Sequence, residues 1–150
     1  MNKVFVYGSI ALLLFVAGCD DVNNSSIPNY EVSLQLNLAT TYPTFRNSVN
    51  QFLLFKTRVK VSDRVGYGGV VVCTGLDGNY YAFDMACPYE AKSTVRVYPS
   101  SSGLPELICE KCGTVFDVSY GVGYPASGLA KEGLKRYHTM LSGDNLYVYN

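Results

Sequence analysis

The chain has 150 residues, 12 basic and 12 acidic side chains, and a formal net charge of +0. Balanced charge leaves no basic field to attract nucleic acid, so no nucleic-acid partner is expected, and the single histidine, His138, excludes any site needing two imidazoles from this chain. Thirteen tyrosines, no tryptophan and repeated valine and threonine favour strands.

The N-terminus opens with Lys3, followed by an apolar stretch over residues 4–17 that closes on Val16-Ala17-Gly18-Cys19. That stretch is too short for a stable span, and its small-residue end before a cysteine is the cleavage pattern of bacterial lipoproteins. Residues 1–18 are therefore predicted to be a signal peptide, Cys19 the acylated mature N-terminus, and residues 19–29 a polar tether to a domain over residues 30–150. This reading places the protein in the cell envelope, periplasmic or surface-exposed, held to the membrane by its lipid and available to a protein partner there. About 130 residues then remain, enough for one core.

In chain order, Val32, Leu34, Leu36 and Leu38 alternate with polar neighbours and predict the first strand. Residues 52–55 are apolar, and residues 59–61 look short and strand-like. Residues 70–73 and 80–83 flank Asp77-Gly78-Asn79, which predicts a hairpin loop. Gly66-Tyr67-Gly68-Gly69 reads as a turn, with no helix after it to make a phosphate loop. Further strands are expected at residues 94–98, 106–109, 115–118, 137–141 and 145–149. Many short strands with frequent turns predict an all-β sandwich or partly open barrel.

After the lipid-bearing Cys19, four cysteines remain: Cys73, Cys87, Cys109 and Cys112. Chemistry concentrates in Ala86-Cys87-Pro88-Tyr89 and in Cys109-Glu110-Lys111-Cys112-Gly113-Thr114-Val115-Phe116-Asp117, each placing cysteine on a loop after a strand. The order, spacing and flanking strands of these segments, with Gly121, Pro125-Ala126, Leu134 and Tyr137 downstream, resemble the Rieske iron–sulfur family over residues 57–150. The resemblance implies a β-sandwich with a small subdomain of ligand loops. In that family two cysteines hold one iron and two histidines the other. Cys87 and Cys109 match the cysteine positions, whereas Tyr89 and Cys112 stand where the histidines would be, so a standard Rieske cluster is not expected.

Three states stay open for the cysteines. In the first, a former cluster site has become structural, holds no cofactor, and its sulfurs pair as disulfides across two loops. In the second, Cys87, Cys109 and Cys112 hold zinc or a modified [2Fe–2S] cluster, with Tyr89 or Cys73 as candidates for a fourth position. The third is a redox-active dithiol of Cys109 and Cys112, supported only by the neighbouring Lys111. Two function classes follow: a non-catalytic binding or assembly module, put first, and a redox or metal protein. His138, between Tyr137 and Thr139 in a predicted strand, is expected to point outward, and Glu90, Glu106, Glu110 and Asp117 show no pairing by spacing, so hydrolase chemistry has no support.

Overall fold

A computed structural model describes residues 25–150, and the signal segment and Cys19 lie outside the described residues. Eleven strands and no helix occur among them: β1 Val32–Asn37, β2 Phe52–Phe55, β3 Arg64–Val65, β4 Val70–Thr74, β5 Tyr80–Asp84, β6 Val97–Pro99, β7 Glu106–Cys109, β8 Val115–Asp117, β9 Tyr124–Ser127, β10 Arg136–Ser142 and β11 Asn145–Tyr149. Seven of them form an antiparallel sheet in the order β2-β4-β5-β10-β11-β1-β3, nearly closed into a barrel, and β6-β7-β8-β9 form a second sheet. The expected all-β, partly open barrel with a smaller loop-bearing unit is the observed architecture.

The two faces of the large sheet explain its sequence patterns. Strand β1 buries Val32, Leu34 and Leu36 and exposes Ser33 and Gln35, because only one of its faces meets the core. Strand β4 is buried throughout, since Val70 and Val72 join the cluster with the β1 residues while Val71 and Cys73 join a second cluster shared with the small sheet. A strand covered on both faces reads as an unbroken apolar run, which is what Val70-Val71-Val72-Cys73 is. Each such side chain contributes about 1.5–3 kcal/mol when fully buried. The second cluster contains Phe83, Met85, Leu107, Phe116 and Val118, and with them Cys87 and Cys109.

The β4–β5 hairpin turns on Gly78, at φ 76°, and Asp77 closes it by accepting from the Asn79 N–H at 3.1 Å and the Tyr81 hydroxyl at 2.6 Å. Residues 59–61 are not a strand. The carboxylate of Asp63 accepts the Val59 and Lys60 N–H groups at 3.2 and 2.8 Å, folding the segment into a turn with Val61 94% exposed, and the strand begins after it at Arg64. Strand β9 carries Pro125, which suppresses its strand signal; a proline is accommodated because β9 is the edge of its sheet.

Residues 27–29 pack against the strands that follow them. Ile27 is only 1% exposed, Lys135 Nζ donates to the carbonyls of Ile27 and Pro28 at 3.2 and 3.1 Å, and Asn150 Nδ2 donates to Asn29 Oδ1 at 2.9 Å. One apolar side chain in an otherwise polar segment is enough to dock it.

Candidate metal centre

Strand β5 ends in Asp84, fully buried among apolar neighbours. Its carboxylate accepts the N–H groups of Tyr67 at 3.0 Å, Gly68 at 3.0 Å and Ala86 at 2.7 Å, and the Tyr137 hydroxyl at 2.7 Å. The Gly66-Tyr67-Gly68 turn therefore does cradle an anion, but the anion is a side chain of the same domain. A buried charge satisfied this way fixes the chain direction immediately before Cys87. Burial, with the Asp84 charge and hydrogen bond, holds the Tyr137 phenol well above the ordinary tyrosine range.

Two turns of the same form follow. In the first, Cys87 C=O accepts the Ala91 N–H at 2.8 Å; in the second, Cys109 C=O accepts the Gly113 N–H at 2.8 Å. In both, the donor residue sits in the left-handed region, Ala91 at φ 48° and Gly113 at φ 70°. The backbone N–H groups of Tyr89 and Glu90 favour the thiolate form of Cys87, and that of Thr114 favours the thiolate form of Cys112. Lys111 bridges the turns by donating to Glu90 Oε2 at 2.7 Å.

The turns bring three sulfurs together. The Sγ atoms of Cys87, Cys109 and Cys112 lie within 4.8 Å of one another, and those of Cys87 and Cys112 are 3.6 Å apart. All three thiols are free, and the Cys87–Cys112 separation is far outside the roughly 2.05 Å of a disulfide bond. Cys87 and Cys109 are fully buried and Cys112 is partly exposed, so the group opens to solvent on the Cys112 side. This group can hold a metal ion.

The other candidates stand elsewhere. Cys73, considered for the fourth position, is outside the group: it is buried in β4 opposite Phe52 and Tyr81, where burial pushes its thiol pKa up to about 12. Tyr89 is 53% exposed on the Cys87 turn. His138 is exposed on β10, stacked on Tyr149 with ring centroids 5.4 Å apart, as its outward expectation required.

Thr114 carries no signal of its own in the cysteine motif. It is fully buried, and its hydroxyl oxygen accepts the N–H groups of Leu129 and Ala130, both at 3.0 Å. Gly128 permits this approach, since at φ 106° a Cβ there would come within 2.4 Å of the Thr114 Cα. Two amides occupy both lone pairs of the hydroxyl, leaving its hydrogen for the Cys112 sulfur 3.2 Å away. Burial opposes the Cys112 thiolate, but the Thr114 hydroxyl and N–H, with the adjacent thiols, outweigh it and lower the Cys112 pKa. For Cys87 burial dominates and its pKa rises despite the Tyr89 and Glu90 amides. In metal-free, reduced protein near neutral pH, Cys112 should therefore alkylate faster than Cys87 or Cys73. Thr114→Val should slow that reaction and move its midpoint to higher pH, while Thr114→Ser should restore it; mass-resolved alkylation across pH checks both.

No family model matches the chain, and no curated protein matches it.

Proposed function

We propose that the protein is a lipid-anchored component of the cell envelope whose β domain carries a thiolate centre for a thiophilic metal ion of the zinc class. The observation that carries this reading is the convergence of three sulfurs from two separate loops. With Zn–S bonds of about 2.3 Å, thiolates at a tetrahedral zinc stand about 3.8 Å apart. The Cys87–Cys112 separation of 3.6 Å and the 4.8 Å limit for the whole group are within a small adjustment of that geometry. The Thr114 hydroxyl, 3.2 Å from the Cys112 sulfur, supplies the kind of hydrogen bond that an anionic sulfur needs in a poorly solvated place.

A cluster of the Rieske type does not suit these residues, because it requires two imidazoles and His138 is stacked on Tyr149 in β10. Of the two function classes, we favour the metal-or-redox class over the purely non-catalytic module because three sulfurs converge. With three protein thiolates, Cys87, Cys109 and Cys112 would hold the ion and leave a coordination position for an exchangeable ligand, as a site that hands on or senses an ion requires. A second reading draws on the same 3.6 Å separation: exchange with an external disulfide, which is reduced to its two thiols, would join Cys87 to Cys112 after a small movement. Cobalt(II) titration of the reduced domain tests the metal reading, with thiolate-to-metal absorption expected in the wild type and weakened in Cys112→Ser.

A further inference from the structure

The tether does not leave the domain at an arbitrary point. Ser26 Oγ donates to the carbonyl of Pro88 at 2.8 Å, and the Ser26 N–H donates to Glu132 Oε1 at 2.7 Å, while Ile27 behind them is buried. Pro88 is the residue after Cys87, so the chain coming from Cys19 is fastened to the cysteine loop itself. Seven residue steps separate Cys19 from Ser26. Fully extended, they span at most about 25 Å.

The far end of the barrel lies in the other direction. Strand β10 starts beside Asp84, where Arg136 pairs with Phe83, and runs seven residues to the Gly143 turn. At about 3.3 Å per residue that places the turn roughly 20 Å from the cysteine end. Two large apolar side chains are exposed next to the centre: Tyr89 at 53%, on the Cys87 turn, and Leu129 at 55%, whose N–H binds Thr114. Tyrosine is at home in a headgroup layer, where its ring is buried and its hydroxyl stays wet.

From this we infer that the cysteine-bearing end of the domain faces the lipid headgroup layer in which Cys19 is anchored, with Tyr89 and Leu129 against that layer. The inference rests on the lipid-anchor reading proposed above. It means that the centre works at the membrane surface, and the Gly143 end of the barrel points into the aqueous compartment.

Because the chain contains no tryptophan, one introduced indole is a clean reporter. The acylated full-length protein would be bound to phosphatidylcholine vesicles carrying a dansyl headgroup lipid. Energy transfer from the indole would be compared for Tyr89→Trp and for Leu141→Trp, an exposed site at the far end of β10. Transfer should be clearly stronger from position 89, and a long Gly/Ser insertion after Asp21 should reduce that advantage. Protein that floats with the vesicles but gives equal transfer from both positions, or stronger transfer from position 141, overturns the orientation alone. Failure to float overturns the anchor and the orientation with it.

Discussion

Asp84→Ala should destabilise the domain by about 3–5 kcal/mol, the scale for breaking a buried charge network by removing one partner. Four donors converge on this carboxylate, three of them backbone amides that cannot turn elsewhere. Asn in its place should recover only part of the loss, because its amide NH2 would meet the N–H of Gly68 or Ala86 donor against donor. Tyr137→Phe, which removes one hydroxyl, should cost about 0.5–1.5 kcal/mol. Equilibrium unfolding in urea measures all three, and a loss below about 1 kcal/mol for Asp84→Ala would show that the network is dispensable. The sign of the pH dependence follows from Tyr137. Its pKa is raised in the fold, so the stabilisation is fully present below the unfolded tyrosine pKa of about 10 and is lost as pH rises through the folded value.

Zinc should stabilise the reduced domain strongly: an ion at 1,000 times its dissociation constant adds about 4 kcal/mol to unfolding. The gain should disappear with a chelator and should be largely absent from Cys112→Ser. Cys112 is the suitable position for this test because it is partly exposed, whereas Cys87 and Cys109 lie in the apolar cluster and their replacement would disturb packing as well as ligation. Melting curves with and without zinc, on the wild type and on Cys112→Ser, give the comparison. Equal shifts in the two proteins would place the zinc elsewhere.

The parts of the fold that were legible in the sequence are those set by local chemistry. Alternation in β1, the doubly covered run of β4, the Asp77-Gly78 turn and the segments 106–109 and 145–149 all follow from side-chain period and turn residues, and the strands stand at those places. The pairing of the two cysteine loops was legible from motif order, and the sulfurs do converge. What was hidden depends on partners distant in sequence. Asp84 ends an ordinary-looking strand, and only the arrival of Tyr67, Gly68 and Tyr137 from other elements reveals its task. Thr114 becomes a donor to sulfur only because Leu129 and Ala130 fill its lone pairs. Residues 59–61 have strand-like side chains, but Asp63 offers their backbone a turn instead. Cys73 was grouped with the other cysteines by composition, while its strand register commits it to the core.

The left-handed Ala91 is a subtler case. Its neighbour turn uses Gly113 at the same place, and alanine gives no sequence signal for φ 48°. The matching hydrogen bonds, Ala91 to Cys87 and Gly113 to Cys109, are what make the two loops alike.

Whether the three sulfurs act as ligands is tested directly by cobalt(II) titration of the full chain, reduced and handled without oxygen. Ligation by the three sulfurs predicts saturation at one ion per chain, intense thiolate-to-cobalt absorption, and protection of Cys112 from alkylation that is lost when the ion is removed. It is contradicted if the reduced protein takes up cobalt without thiolate absorption, or if Cys112 alkylates at the same rate with and without the ion.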